Sequence, residues 1–216
     1  MTMIKVSAFR WVPPFAQGLV RDLRVRWALE EAGLPYEERL IGPADQKSDG
    51  YRALQPFGQV PSYEENGLEL FESGAIVLHI AERAESLMPP DPVARARTKT
   101  WMFAALNTVE PPIVFLNAVS GTPDAEQSPL KQGVVGLVEQ RLDSLCSQLS
   151  GRDYLEHRFT AADLLMTSVL RILRTTTMVT DRPVLEFYRL RCEDRPAFKK
   201  ALDAQMSRFA ENAPPG

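Results

Sequence analysis

The sequence predicts a small α/β domain, a proline-rich linker and an all-helical domain. Three observations carry that prediction. Within the first 41 residues the apolar period changes from that of a strand to that of a helix and back. Two further alternating runs then flank Asn66-Gly67, the strongest short-range hairpin signal. Beyond Pro89, Pro90 and Pro92 strand-like alternation stops, and apolar residues recur only at helical spacing.

Each element has its own justification. Ile4, Val6 and Ala8 alternate with Lys5 and Ser7, as in a strand with one buried face. A loop rich in proline and aromatic residues, Trp11 to Gly18, leads to a helix starting at Leu19, with Leu19, Leu23 and Trp27 on one stripe. Gly33 and Pro35 stop that helix, and Tyr36 to Ile41 forms the second strand. Strand, helix and strand in so short a span imply parallel pairing through a right-handed crossover. Val60 to Glu65 and Leu68 to Phe71 form the hairpin, and Ser73 is the expected N-cap of the helix that follows. In the second half, Val93 to Leu116 is helical, interrupted or ended near Pro111-Pro112. Pro129 to Leu149 is a helix with Val134, Val138, Leu142 and Leu145 on one stripe. Thr160 and Asp163 make an acidic capping box, with Phe159 and Leu164 as its staple. Arg182 to Ala210 is helical with a break near Pro196. The expected division is 1–84, a linker at 85–93, and 94–216.

Composition narrows the function classes. Hydrophobic residues at 44% and charged residues at 25% exclude a disordered chain, a collagen-like fibre and a disulfide scaffold. A net charge of −3 supplies no basic field for nucleic acid or an anionic membrane. Arg21, Arg24 and Arg26 do cluster, but Glu30 and Glu31 follow at once, as on a solvated helix face. Cys146 and Cys192 sit in apolar helical contexts without a CxxC pattern, which reads as two buried thiols in a reducing compartment. His79 and His157 stand apart, so no metal site is expected. No long apolar stretch marks a signal peptide at Met1 to Lys5 or a membrane span elsewhere. The expectation is a soluble, cytoplasmic chain.

Gln59-Val60-Pro61-Ser62-Tyr63, Asn66-Gly67 and Leu70-Phe71-Glu72-Ser73-Gly74-Ala75-Ile76 together resemble the VP…G…L…ES.AI signature of glutathione S-transferases. Phe159 to Asp163 is similar to that family's capping-box helix, and Arg195 to Phe198 to a frequent C-terminal phrase. Arg24 to Leu29 resembles the RVRIAL run of zeta-like members. The resemblance covers essentially the whole chain. It implies a thioredoxin-like N-terminal domain that binds glutathione, and an all-α domain carrying the electrophile pocket and the contacts of a homodimer. Glutathione is then a cosubstrate, with no metal or organic cofactor.

The resemblance also assigns residues. Ser73, with its hydroxyl and the free N–H groups of a helix start, is an anion site for the γ-glutamyl carboxylate, and Glu72 can meet the ammonium. Val60-Pro61 resembles the family's cis-proline step, which leaves the Val60 N–H and C=O to pair with the cysteinyl backbone. Gln59 sits where members contact glutathione's backbone or glycyl end; an exposed amide with no such role is the alternative.

One family feature is missing. Most members place a Tyr, Ser or Cys near the start of helix one to raise the thiolate fraction. Counting back from Arg24 gives Leu19 at that place, and counting forward from the first strand gives Trp11; neither has a hydroxyl. The indole N–H of Trp11 is a donor only, which suits a thiolate, and Gln17 or backbone N–H groups near Leu19 offer others. We assign the role to Trp11 with helix-terminal amides; a packed or pocket-lining aromatic is the other reading of the same residue. The family's electrophile pocket, between its two domains, maps onto Pro14, Phe15, Trp101 and Phe103. The expected reaction adds the thiolate of glutathione to a small hydrophobic electrophile. A zeta-like glutathione-dependent isomerase and a non-catalytic glutathione-binding or protein-interaction module are the alternatives.

Overall fold

A computed structural model describes residues 3–121 and 128–214. Strand β1 (Ile4–Phe9) is followed by helix α1 (Asp22–Ala32) and strand β2 (Tyr36–Ile41), which pairs with β1 in parallel from Ile4–Tyr36 to Phe9–Ile41. Helix α2 (Asp49–Leu54) leads into the antiparallel hairpin of β3 (Ser62–Glu65) and β4 (Leu68–Phe71). The hairpin turns at Asn66 and Gly67, both at positive φ (51° and 82°), as a two-residue turn matched to strand twist requires. β3 joins β1 antiparallel, giving the sheet order β2-β1-β3-β4, and helix α3 (Ser73–Ala81) closes the run.

Three local expectations shift. The first helix begins at Asp22, because the Leu19 N–H is consumed by a turn onto the Ala16 carbonyl, 3.0 Å away. Ser73 is the first residue of α3, and Glu72, at φ 71°, is its N-cap. Ser7 is buried as thoroughly as Val6 and Ala8, so β1 is covered on both faces. Its hydroxyl lies 2.8 Å from the Tyr51 hydroxyl of α2, which covers the face opposite Val6 and Ala8.

Contacts divide the chain into two compact units, Met1–Met88 with Asp194–Gly216, and Pro89–Glu193. The sequence-based division ran the helical domain on to residue 216; here the last helix, α9 (Pro196–Glu211), groups with the sheet. The cause is a set of contacts between α9 and α1. Trp27, fully buried, meets Phe198 edge to face at 4.8 Å. Arg195 forks onto Glu31 at 2.5 and 2.8 Å. Gln205 donates to the Asp22 carboxylate at 2.8 Å. Asp22 also receives the Arg26 guanidinium at 2.6 Å, and Arg26 and Arg208 both reach Glu38 on β2. Burial works against the Arg26 charge, yet Asp22 and Glu38 outweigh it and hold the guanidinium protonated.

In the helical unit, α4 (Pro92–Ala104) passes through a π-turn at Ala105–Val109 into α5 (Glu110–Ser120). Of the two outcomes expected near Pro111-Pro112, the helix is interrupted, by this π-turn, rather than ended. A proline clashes with the carbonyl four residues back, and a wide turn placed just before the pair accommodates its rings. This continuous stretch, Pro92–Ser120, is long and apolar enough to cross a membrane by length and composition alone, where the sequence gives the expectation of no such stretch. Of its most apolar window 44% is buried inside the protein. Helix α6 (Pro129–Leu149) buries Val134, Val138, Leu142 and Leu145 along one stripe. Helix α7 (Ala161–Leu170) carries the capping box, and α8 (Pro183–Glu193) follows. Cys192 is buried and Cys146 half-buried, and neither is in a disulfide.

Candidate glutathione site

Strand register brings the predicted binding residues to one end of the sheet. Ser62, the first residue of β3, faces Phe71, the last of β4. The segment before Ser62 and the turn after Phe71 are therefore neighbours. Because β1 runs antiparallel to β3, with Val6 opposite Tyr63, its C-terminal end and the loop beyond it emerge at the same place.

The segment before β3 is Gln59-Val60-Pro61, and the Val60–Pro61 peptide is cis. Gln59 is exposed, whereas Val60 and Pro61 are buried, with Val60 packed among Ile41 and Tyr51. Among the described residues the Val60 N–H and C=O take part in no backbone hydrogen bond. An edge of that kind can pair with an extended peptide backbone, one donor and one acceptor at a time.

The turn after β4 presents hydrogen-bond donors. The first hydrogen bond of α3 runs from the Ile76 N–H to the Glu72 carbonyl, 3.0 Å. The N–H groups of Ser73, Gly74 and Ala75 therefore have no acceptor within the helix and carry its positive end. The Arg24 guanidinium, buried on α1, reaches the Ser73 hydroxyl at 3.5 Å and adds a full charge. Arg24 thus faces this end of the sheet, and Arg26 is committed to Asp22 and Glu38, so neither lies on a solvated helix face as the sequence suggested. Glu72 holds φ 71° with ψ 112°, a conformation that costs a side-chain-bearing residue about 1–3 kcal/mol. It turns the chain into α3 and leaves the Glu72 side chain exposed beside the start of that helix.

The loop after β1 is built differently. Ala16 and Gln17 donate to the carbonyls of Pro13 and Pro14 at 2.9 and 3.3 Å, and the Gln17 amide donates to the Val12 carbonyl at 3.0 Å. Gln17 and the Leu19 N–H, two of the alternative sulfur donors, are thus engaged within the loop. Trp11 is half-buried there, and its indole N–H has no partner among the described residues. Pro14 and Phe15 are exposed, Phe15 by 80%. In the helical unit, Trp101 borders a cleft of about 290 Å³ shared with Arg97, Thr100, Gln148, Arg152, Glu156 and His157, a polar wall rather than an apolar one. Phe103, two residues on, is exposed. A larger cleft of the first unit, about 820 Å³ between the end of α1, β2 and α9, contains none of the predicted residues. Its cations are paired, Lys200 with Glu30 at 2.7 Å and Arg208 with Glu38. Among the described residues no group of three or more His, Cys, Asp or Glu side chains is arranged to hold a metal.

Sequence reasoning missed Ser7, Tyr51 and Ser62, which bond behind the Val60–Pro61 step. The Ser62 N–H meets the Ser7 Oγ at 2.6 Å, and the Tyr51 hydroxyl meets the Gln59 carbonyl at 2.5 Å. A serine on the supposedly solvated face of a central strand was the available signal.

Comparison with known proteins places the chain in a family. The family model for the glutathione S-transferase N-terminal domain matches residues 17–82, the stretch that holds Gln59 to Ser73. A glutathione S-transferase of Hyoscyamus muticus is 29% identical over 201 residues, 84% of this chain and 92% of the relative. Glutathione S-transferase F10 of Arabidopsis thaliana is 30% identical over 150 residues, 63% of this chain and 68% of the relative. The chain belongs to the glutathione S-transferase family. A solved glutathione transferase of Burkholderia graminis, with two glutathione molecules bound per subunit, superposes on this transferase-family chain with a TM-score of 0.80. It shares 22% identity, covering 94% of this chain and 88% of that one, and so speaks for the fold alone.

Proposed function

We propose that this chain binds glutathione at the end of the sheet and adds its thiolate to a small hydrophobic electrophile. The observation that carries the reading is one juxtaposition. A free peptide edge at Val60 and a cationic helix start at Ser73 and Arg24 lie side by side, matching a tripeptide with a backbone and a terminal carboxylate. The γ-glutamyl carboxylate takes the N–H groups of α3 and the Ser73 hydroxyl, and its ammonium takes Glu72. The cysteinyl N–H and C=O pair with Val60, and Gln59 takes the glycyl end. The sulfur then points toward the loop after β1, where the unpaired indole N–H of Trp11 is the donor that supports the thiolate. The electrophile rests against Pro14 and Phe15. The active form is a homodimer, to be tested by sedimentation. No cofactor beyond glutathione is needed for this addition.

A second reading has its own support. Between Phe9 and Val20 there is no hydroxyl or thiol side chain, and the loop's polar groups bond mainly to one another. That combination favours binding without turnover. A zeta-like isomerase gains less, because Arg24 and Arg26 have structural partners in Ser73 and in Asp22 with Glu38.

Calorimetric titration with glutathione and S-methylglutathione, from about pH 6 to 9, separates these readings. Proton release with glutathione alone supports catalysis. Equal binding without proton release supports the binding module, and no binding at all removes both.

A further inference from the structure

Behind Gln59-Val60-Pro61 lies a chain of buried hydroxyls whose direction can be worked out atom by atom. The Gln59 carbonyl can only accept, so the Tyr51 hydroxyl donates to it, at 2.5 Å. That spends the single Tyr51 hydroxyl proton, so the Ser7 hydroxyl must donate to the Tyr51 oxygen, at 2.8 Å. Ser7 then has only lone pairs left, and these receive the Ser62 N–H at 2.6 Å and the Ser62 hydroxyl at 3.0 Å. Every proton is used once and every link points the same way, from Ser62 through Ser7 and Tyr51 to Gln59. Ser7, Tyr51 and Ser62 are all buried, at 1%, 5% and 1% exposure. Burial also raises the Tyr51 phenol above its ordinary range, which keeps it protonated and able to donate.

The chain grips the segment at both ends. It holds the carbonyl just before Val60 and the amide just after Pro61, and so fixes the peptide planes on either side of the two residues offered to the ligand. Links of this kind polarise one another where they are buried. We propose that Ser7, Tyr51 and Ser62 are positioning residues for glutathione, setting the orientation of the Val60 peptide edge without touching the ligand. The inference rests on the glutathione-binding reading and deepens it. It concerns affinity for the peptide backbone and leaves the sulfur alone.

The test uses the full-length protein and the variants Tyr51→Phe, Ser7→Ala and their combination. Glutathione and S-methylglutathione affinities are measured by calorimetry well below each variant's melting temperature. Tyr51→Phe and Ser7→Ala should each weaken both ligands by the same factor, about three- to tenfold. The double variant should lose no more than the weaker-binding single one, because both break one chain. Hydrogen exchange should show the Ser62 amide losing protection in Ser7→Ala while other strand amides keep theirs. Wild-type affinity for both ligands, in variants that are folded, would overturn the positioning role and leave the glutathione reading standing. A loss confined to glutathione, with S-methylglutathione unaffected, would also overturn it, since the hydroxyls would then act on sulfur. If the wild-type protein binds neither ligand, the functional reading fails first and takes this inference with it. Should either alanine or phenylalanine variant fail to fold, Ser62→Ala removes one donor while leaving the backbone link in place, and the same comparison applies at a smaller factor.

Discussion

Two buried polar networks, one in each unit, use similar groups to opposite ends. In the sheet unit, neutral hydroxyls form a line that starts inside the fold and ends on an exposed segment. In the helical unit, one carboxylate gathers donors from several sides. Asp163 receives the N–H groups of Leu155 and Thr160, both at 2.9 Å, the Thr160 hydroxyl at 3.1 Å and the Tyr188 hydroxyl at 3.0 Å. Nothing in that hub reaches solvent, and Asp163 is fully buried. A line transmits geometry to its free end, whereas a hub pins the elements around it. The first network should therefore matter for the ligand and the second for the fold.

The largest expected effect attacks the hub. Asp163→Ala leaves several buried donors unsatisfied and should cost about 3–5 kcal/mol of stability, read from denaturant midpoints. Glutathione affinity of the fraction still folded should be unchanged; a large affinity loss would erase the distinction between line and hub.

The next test is pH. Burial outweighs the donated hydrogen bonds and lifts the Asp163 carboxyl to about 6, against 3.8 in the unfolded chain. A raised carboxyl binds its proton more tightly in the folded state, so its contribution is complete below the unfolded value and is lost as pH rises through about 6. The margin of wild type over Asp163→Ala should shrink between about pH 4 and pH 7, by on the order of 2–3 kcal/mol. A margin that grows with pH would mean that the hub favours the carboxylate instead.

At the ligand end, Ser73→Ala removes one hydroxyl from the anion site. Glutathione should bind about 10- to 100-fold more weakly, with the melting temperature lowered only modestly because the lost Arg24–Ser73 contact is long, 3.5 Å. Unchanged affinity would detach the helix start from the site. The smallest effect is expected in the loop after β1. Trp11→Phe should raise the apparent pKa of bound glutathione's thiol by less than about one unit without abolishing binding. An unshifted profile would remove Trp11 as the sulfur's donor.

The same contrast explains how much could be read from the sequence. Helix α6 ran from Pro129 to Leu149 as its stripe foretold, and the Thr160–Asp163 box formed as spaced. Both are written in residues a few positions apart. Asn66-Gly67 set the hairpin, and its register brings Gln59-Val60-Pro61 beside Glu72-Ser73, so the proximity of these candidate residues was legible. The hydroxyl line was not, since Ser7 meets Tyr51 across 44 positions and Ser62 across 55. Periodicity assigns a residue to a face but cannot say what covers that face. Ser73 shifted by one place because a non-glycine residue, Glu72, adopts positive φ, a choice that no local propensity favours. The passage of a helix through Pro111-Pro112 likewise depended on a wide turn placed just ahead of the pair.

Helix α9 carries a consequence for biosynthesis. Its contacts with α1 span 164 residues at Glu31–Arg195 and 183 at Asp22–Gln205. A ribosome releases the N-terminal sheet early, and early domains ordinarily fold while the rest is being made. Here the partner of Trp27 is translated only after the entire helical unit. The sheet unit is thus the first to be started and the last to be sealed, and until then α1 presents an uncovered tryptophan beside a half-satisfied ion pair. A nascent chain stalled before Asp194 should be the species that chaperones hold longest.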